Sequence, residues 1–379
     1  MTAIVGMLIG SLVVAADRPA PVEIIAGPLV SVDNVCAWPN LIQTAEGSFA
    51  VAIFNRPAHG GVPGDVEVWA SKDGGLTWHR RGVAAPHQPR TIRLNTAFGL
   101  AQDGDLLLAT SGWSDCYPEG QTGKPYSAFI LEPWLCRSSD GGRRWDIDRD
   151  ALAIDDSDDQ YTPYGNLVRG ADGRLRMSVY TCGSAPGEGR AWVLAADDDG
   201  RRWGDAVAID ADRPRNETCL LHLGRGYWLA AARYDGLTLY HSTDDAATWK
   251  CLGPVTGASQ HPGHLLRLED GRVLLTHGNR TPGAKGIDVR FSSDGRTFSP
   301  PRRVADFQGD GGYPCSAERS DGTVLTVYYA QRTAGHSRYH MAAVVWKPPS
   351  GNDEAVFPSI RQPGTVRESG SEDARTSSR

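Results

Sequence analysis

Apolar residues in this chain recur in pairs of short strands, each pair separated by a turn that contains glycine. Six such hairpins read "LIQTAEGSFAVAIF", "FGLAQDGDLLLATS", "LVRGADGRLRMSVY", "CLLHLGRGYWLAAA", "LLRLEDGRVLLTHG" and "SAERSDGTVLTVYY". Their apolar positions alternate or run continuously, which is typical of strands buried between neighbouring sheets. Glycine accepts the positive φ that a tight hairpin needs. The six turn glycines follow one another at intervals of 45 to 69 residues: Gly47, Gly104, Gly173, Gly226, Gly271 and Gly322.

A second repeated element, the Asp box, follows the first five hairpins. Its copies read "SKDGGLTW", "SSDGGRRW", "ADDDGRRW" and "STDDAATW", with a shortened fifth copy "SSDGRTF". In such a turn the aspartate accepts local backbone N–H bonds, glycine permits the turn, and the aromatic ring packs between sheets. Because the element is repeated, we expect a structural role for its aspartates rather than catalysis or calcium binding.

Six units of about 50 residues, each with four short strands, predict an all-β fold. The best match is a six-bladed β-propeller with Asp-box turns, rather than a sandwich or two domains. The last unit lacks its Asp box, so the N-terminal "EIIAGPLVSV" is free to supply the strand that completes it. We predict the propeller domain at residues 22–348 and a disordered tail at residues 349–379, which are polar and rich in Gly and Ser.

The N-terminus indicates export. Ala3 to Ala16 form an apolar run of about 14 residues, too short to span a bilayer, and it ends in the small-residue pattern of a signal-peptidase site. We interpret residues 1–16 as a signal peptide, with an uncleaved or wrongly placed start as the alternative, because no Lys or Arg precedes the run. The protein is then secreted or periplasmic, without stable membrane insertion.

The charge of the chain and the spacing of its cysteines and histidines limit the kinds of partner and cofactor that are expected. The formal net charge is −6, spread along the chain, so nucleic acid is not an expected partner. The seven cysteines show no CxxC spacing, and His261 and His264 have no third ligand close in sequence. No metal ion or other cofactor is expected. The oligomeric state stays open.

Candidate chemistry lies where the inner strands converge. In a propeller, side chains at one end of all the innermost strands meet at a single mouth. Glu217 and Tyr313 occupy the front of inner strands in the fourth and sixth units. Guanidinium groups match carboxylates with a planar fork, so arginines at this mouth indicate a glycan substrate with an acidic sugar. Four arginines end the following strands: Arg56, Arg233, Arg280 and Arg332.

The Asp boxes, the sixfold arrangement and the stretch "GGYPCS" resemble the sialidase (neuraminidase) superfamily of BNR-repeat propellers, over roughly residues 25–348. The resemblance implies a retaining glycoside hydrolase of the exo-α-sialidase type. It implies that Tyr313 is the nucleophile and that Glu217, in "NETCLL", is its activating base. A neutral phenol avoids repulsion by the substrate carboxylate, and a nearby base is needed because tyrosine has an ordinary pKa near 10.

The resemblance also assigns the remaining site residues. Arg233 matches the second arginine of the family's carboxylate clamp, and Arg280 is the best candidate for the third, with Arg290 as a competitor. Arg56 resembles an arginine that flanks the family's acid/base loop. Within that loop, "PAHGGVPGDVEV", Asp65 is the only aspartate available as acid/base.

Two departures from the family pattern leave alternatives open. Ala37 stands where sialidases carry the first clamp arginine, and Asn95 stands where an aspartate is often found. Trp38 is expected to stack on a sugar face and His264 to bond substrate hydroxyls. Ala37 and Trp38 favour an enzyme that acts on another acidic sugar such as a uronic acid, as a hydrolase or a lyase. A non-catalytic glycan-binding propeller is the other alternative.

Overall fold

The computed structural model describes residues 19–45, 47–152, 161–181 and 189–350. The predicted signal peptide at residues 1–16 lies outside these ranges, as does the predicted tail from residue 351 onward. Within them, no helix is both long enough and apolar enough to cross a membrane.

Short β-strands make up almost all of the regular structure, with one short 3-10 helix at Asp198–Gly200. The first ten strands are β1 (Ala20–Pro21), β2 (Glu23–Asp33), β3 (Asn40–Ala45), β4 (Ser48–Phe54), β5 (Val66–Ser71), β6 (His79–Ala85), β7 (Thr91–Leu100), β8 (Leu106–Ser114), β9 (Phe129–Ser138) and β10 (Asp146–Asp148). The next eight are β11 (Tyr161–Arg169), β12 (Leu175–Thr181), β13 (Ala191–Asp197), β14 (Arg202–Ala208), β15 (Thr218–Gly224), β16 (Tyr227–Arg233), β17 (Leu237–Ser242) and β18 (Lys250–Pro254). The last seven are β19 (Gly263–Arg267), β20 (Val273–Asn279), β21 (Gly286–Ser292), β22 (Arg302–Asp306), β23 (Gly311–Glu318), β24 (Val324–Ala330) and β25 (His340–Lys347).

The strands form antiparallel units in chain order. Strands β3 to β6 and β15 to β18 each make a four-stranded sheet, and β19 to β22 make another with β1 added at its outer edge. Strands β7 to β10 and β11 to β14 belong to one eight-stranded sheet, because β7 and β11 pair in parallel over two residues. The all-β, propeller-like arrangement is therefore confirmed, but the predicted six blades appear as five hydrogen-bonded sheets.

The N-terminal segment closes the last unit. Strand β2 pairs antiparallel with β25, giving a four-stranded sheet in the order β2, β25, β24, β23. The predicted use of "EIIAGPLVSV" to complete the final unit is confirmed. This pairing joins the two ends of the described chain and covers a sheet edge that would otherwise be open.

The inner strands surround a common centre. The first strand of each repeat contacts the first strand of the next, and β23 contacts β3, so β3, β7, β11, β15, β19 and β23 form a closed ring. The hydrophobic core lies between neighbouring units: Ile42 and Val68 of the first unit pack with Phe98 and Leu108 of the second. Residues at one end of the ring therefore face each other although they are far apart in sequence.

The Asp boxes form the predicted turns. In the first copy, Asp73 Oδ1 accepts hydrogen bonds from the Ser71 hydroxyl at 2.8 Å and the Thr77 N–H at 2.9 Å, and Trp78 donates to the Gly75 carbonyl at 3.0 Å. A Cβ atom at Gly75 would lie 2.4 Å from the Leu325 side chain of the neighbouring unit. The box therefore holds its own turn and packs against the next sheet, as the sequence predicts.

An Asp73→Asn substitution should lower the free energy of unfolding by about 1 kcal/mol at neutral pH, a small value because the carboxylate is exposed. Burial raises the pKa of Asp73, but bonds from Thr77 and Ser71 outweigh it and lower the pKa to about 2. Because the folded pKa lies below the ordinary value near 4, this stabilisation is present above about pH 4 and is lost as the pH falls toward 2. Urea unfolding at pH 7 and pH 2 measures the difference.

Asp198 of the third box provides the matched control, since its carboxylate makes no hydrogen bond to any residue in the described ranges. Asp198→Asn should leave the free energy of unfolding unchanged at both pH values. Equal losses in the two variants would contradict a structural role for the Asp73 hydrogen bonds.

Candidate functional site

Tyr313, Glu217 and Arg233 meet at one end of the ring. The Tyr313 hydroxyl donates a short hydrogen bond to Glu217 Oε1, and Arg233 donates from Nη1 to Glu217 Oε2. Arg233 Nη1 also lies 3.3 Å from the Tyr313 hydroxyl oxygen. The structure therefore brings together the predicted nucleophile, its predicted base and one predicted clamp arginine. Glu217 is only 5 % exposed, and a carboxylate so deeply buried requires such partners.

The local backbone sets this geometry. The Arg233 N–H donates to the Glu217 carbonyl at 3.1 Å, so the hairpin of β15 and β16 places the two side chains next to each other. Tyr313 has a φ of 51°, and the pairing of β23 with β24 shifts register between Gly312 and Cys315. Such a bulge redirects a side chain out of the regular alternation, here toward Glu217.

Burial and charge keep the Tyr313 phenol protonated. Burial raises the pKa of Tyr313, the Glu217 carboxylate raises it further, and Arg233 and Arg280 partly oppose these effects. The net pKa is well above its ordinary value. A neutral phenol hydrogen-bonded to a carboxylate can lose its proton to that carboxylate when the oxygen forms a bond to an electrophile.

Arg280, the other predicted clamp residue, lies against Tyr313, with its guanidinium carbon 5.4 Å from the ring centroid. Two of its nitrogens are bonded to the backbone: Nε donates to the Gly311 carbonyl at 3.0 Å and Nη1 to the His261 carbonyl at 3.1 Å. His261 stays neutral because burial and the charges of Arg233 and Arg280 lower its pKa to about 3.

A cavity of about 500 Å³ opens beside Tyr313. Its wall is rich in aromatic rings, and Lys124 is the single lysine or arginine among its lining residues. Arg56, Arg233 and Arg280 are not part of this wall. The lining residues that bear on the chemistry are Trp38, His59, Asn95, Lys124, Tyr164 and His264.

Three predicted substrate-binding residues line this cavity. Trp38 packs its ring 6.1 Å from that of Tyr313, while Ala37 beside it is fully buried in the core. Asn95 donates to the Tyr180 hydroxyl at 3.3 Å.

His264 accepts a hydrogen bond from the Ser316 N–H at 3.3 Å through Nδ1. Its Nε2 therefore carries the proton and donates to Asn166 at 2.9 Å. Burial lowers the pKa of His264 to about 4, so its ring is neutral. Substrate binding by these residues stays a prediction.

Arg56 and Asp65 make no described hydrogen bond to Tyr313, Glu217 or Arg233. Arg56 is exposed and donates from Nε to the Pro63 carbonyl at 2.9 Å. The Asp65 carboxylate is held by the His87 ring at 2.6 Å and by Asn55 at 3.3 Å. Burial raises the pKa of Asp65, but the His87 and Asn55 hydrogen bonds outweigh it and the net pKa is lowered. Asp65 does not line the cavity, and its predicted acid/base role stays a prediction.

A second polar group at the cavity was not among the residues predicted from the sequence. His59 comes from the same loop as Asp65, and its Nδ1 lies 2.7 Å from Asp310 Oδ2. Asp310 precedes Tyr313 by three residues, which is the one sequence signal that could have drawn attention to it. Cys36 lies close to both. One sulfur, ring nitrogen or carboxylate oxygen from each of the three side chains lies within 4.8 Å of the other two, so that these atoms could hold a metal ion.

The propeller-like fold, the Asp boxes and the cluster of tyrosine, glutamate and arginine define a protein of the sialidase-like β-propeller class. The sequence pattern of the BNR repeat-like domain matches residues 47–326. The chain belongs to this family, and the superfamily predicted from the sequence is confirmed. No curated protein matches the chain.

Solved structures with a similar fold share little sequence with the chain. A protein of unknown function from Dyadobacter fermentans is 23 % identical, with a TM-score of 0.70 over 88 % of this chain and 99 % of that one. The Trypanosoma rangeli sialidase in complex with sialic acid is 14 % identical, with a TM-score of 0.62 over 86 % of this chain and 57 % of the sialidase. The K499G mutant of the Streptococcus pneumoniae sialidase NanB is 10 % identical, with a TM-score of 0.62 over 89 % of this chain and 71 % of that one. Such identities show the shared fold alone.

Proposed function

We propose that the protein is a retaining glycoside hydrolase that removes a terminal acidic sugar from a glycan. The observation that carries the proposal is the hydrogen bond between the Tyr313 hydroxyl and the buried Glu217 carboxylate, next to the aromatic cavity. A lone tyrosine in a strand is ordinarily a packing residue, whereas a phenol paired with a buried base and an arginine has the parts of an activated nucleophile.

The reaction begins when the Tyr313 oxygen attacks the anomeric carbon. Glu217 takes the phenolic proton as the bond forms, and the aglycone leaves as an alcohol once an acid has protonated its oxygen. Water then attacks the same carbon and gives one proton to the conjugate base of that acid, the tyrosyl bond breaks, and Glu217 returns its proton to Tyr313. Two displacements at one carbon retain the anomeric configuration.

The scaffold and location belong to the same proposal. We treat the eight-stranded sheet as two blades, which makes the scaffold a six-bladed propeller. Support comes from the closed ring of six inner strands and from the short ladder between β7 and β11, which consists of only two residue pairs. A secreted or periplasmic location follows from the interpretation of residues 1–16 as a signal peptide.

A second candidate is an enzyme that acts on a uronic acid. The observation that favours it is the absence of guanidinium groups from the described cavity wall: Ala37 is buried at the first clamp position, and neither Arg233 nor Arg280 is a lining residue. Each missing charge-assisted hydrogen bond removes about 1.5–3 kcal/mol of carboxylate binding. Lys124 is then the cation that the cavity wall offers to a carboxylate.

Activity against a panel of chromogenic glycosides tests these proposals. We expect turnover of an α-sialoside or of a uronide, and at least tenfold lower kcat/KM for the neutral sugar that matches each in shape. Turnover of the uronide alone would select the second candidate, and an unsaturated product absorbing in the ultraviolet would identify a lyase. Binding of an acidic glycan with no turnover of any glycoside would contradict both enzymes and support a binding propeller.

A further inference from the structure

We propose that His59, oriented by Asp310, is the acid/base residue of this site. In this assignment His59 protonates the leaving oxygen and then activates the water. The inference rests on the proposed glycosidase function, and it assigns a role that neither the sequence resemblance nor the fold comparisons give to these two residues.

The position of His59 suits proton transfer to a bound glycoside. Its side chain is 52 % exposed and lines the same cavity as Tyr313. The Trp38 ring is close to both residues, with its centroid 4.9 Å from that of His59 and 6.1 Å from that of Tyr313. A sugar placed beside Tyr313 can therefore present its leaving oxygen to the imidazole.

Asp310 holds His59 in one orientation. Besides the His59 ring, Asp310 accepts hydrogen bonds from the Gly311 N–H at 2.9 Å and from the hydroxyls of Tyr329 at 3.0 Å and Tyr339 at 3.1 Å. Burial raises the pKa of Asp310, but the bond and charge of His59, with further contributions from Tyr329 and Arg280, lower it overall. Asp310 therefore remains ionised at neutral pH.

An ionised Asp310 also fixes which nitrogen of His59 is available. The carboxylate accepts a hydrogen bond from Nδ1–H of His59, and no residue in the described ranges hydrogen-bonds Nε2. Nε2 is thus the atom that can give and take the proton.

Asp65 is less suited to the role. Its Oδ1 oxygen accepts hydrogen bonds from both the backbone N–H of His87 at 2.8 Å and the His87 ring at 2.6 Å. Its own N–H is bonded to the Asn55 side chain at 2.9 Å. These bonds make Asp65 a loop anchor outside the cavity wall.

Proton transfers balance over the two steps. In the first, the bond from Tyr313 oxygen to the anomeric carbon forms, Glu217 takes the phenolic proton, the glycosidic bond breaks, and the Nε2 proton of His59 moves to the leaving oxygen. In the second, neutral His59 takes a proton from water as the water oxygen bonds to the same carbon. The tyrosyl bond breaks, and Glu217 returns its proton to Tyr313 oxygen.

Leaving-group dependence tests the assignment. With a His59→Ala variant, we expect kcat/KM for an unactivated alkyl glycoside to fall by about 10²–10³-fold, because the poor leaving group needs protonation. For a nitrophenyl glycoside of the same sugar, kcat/KM should fall less than tenfold. Asp310 is a positioning residue. In Asp310→Asn, kcat/KM should again fall more for the alkyl glycoside than for the nitrophenyl glycoside, but both falls should be smaller than in His59→Ala.

His336→Gln is the matched control, because His336 also pairs with an aspartate, Asp33 at 2.8 Å, but does not line the cavity. Both substrates should be turned over as by the wild type. Equal losses on both substrates in His59→Ala, or the leaving-group pattern in Asp65→Asn instead, would overturn the proposal while leaving the glycosidase function intact.

Two further results are decisive. Loss of wild-type turnover on EDTA treatment, with recovery on added zinc, would show that Cys36, His59 and Asp310 bind a metal and would overturn the proton-transfer role. A wild-type protein inactive on every glycoside would instead remove the proposed function on which the inference rests.

Discussion

A Tyr313→Phe variant should bind its glycoside and fail to turn it over. The substitution removes one oxygen, the atom that forms the bond to the anomeric carbon, and keeps the ring that packs near Trp38 and Tyr329. We expect kcat to fall by on the order of 10³-fold or more, because loss of a nucleophile removes the covalent route altogether. Steady-state kinetics on the best panel substrate, together with calorimetric titration of the product sugar, separate turnover from binding.

Tyr328→Phe is the control for that variant. Tyr328 is fully buried in the neighbouring strand, and its hydroxyl has no hydrogen-bond partner in the described part of the chain. Removing a buried hydroxyl without a partner is expected to be neutral or stabilising, so activity should stay within a factor of two or so of the wild type. If Tyr313→Phe kept a tenth or more of the wild-type kcat, Tyr313 would not be the nucleophile.

Replacement of Arg233 by methionine should destabilise the protein strongly. Arg233 is paired with the nearly buried Glu217, and this charge raises the pKa of Arg233 even though burial opposes it. Without the guanidinium, Glu217 is a buried carboxylate that keeps only neutral partners. Removing one member of a buried pair costs about 3 kcal/mol or more, which denaturant unfolding at neutral pH will show.

Arg80→Met is the matched control for this loss. Arg80 pairs with Glu67 at 3.1 Å, but its side chain is half exposed, so the expected cost is below about 1 kcal/mol. A double variant, Arg233→Met with Glu217→Gln, removes both buried charges and should recover much of the lost stability. If Arg233→Met and Arg80→Met lost the same free energy of unfolding, the buried pair of Arg233 and Glu217 would stabilise the protein no more than an exposed ion pair.

The Tyr313, Glu217 and Arg233 cluster could be predicted because each residue lies at the start or the end of a strand in a recognisable repeat. A propeller brings equivalent strand ends together. Residues at equivalent positions in different repeats are therefore expected to be close in the folded structure. The predicted acid/base loop shows the limit of this reasoning. Asp65 was chosen as the only aspartate of its loop, whereas the structure turns its carboxylate toward His87 and places His59 of the same loop against Asp310.

The arginines predicted at the mouth of the ring show a similar limit of prediction from sequence. Arg280 lies against Tyr313, but its Nε and Nη1 are bonded to the backbone carbonyls of Gly311 and His261, which reduces the donors that it can offer to a substrate. Whether a guanidinium is free depends on which carbonyl groups the neighbouring unit turns toward it. Sequence spacing carries no information on that.

By itself the sequence determined the hairpins, the Asp boxes and the completion of the last unit by the N-terminal strand. These depend on interactions a few residues apart or on regular apolar patterns, which any reader of the chain can find. Only the tertiary structure decided that β7 and β11 join two units, that His59 meets Asp310 across 251 positions, and that Asp65 turns away from the cavity. Those outcomes depend on packing between units that are distant along the chain, where small shifts of strand ends and loops select the contacts.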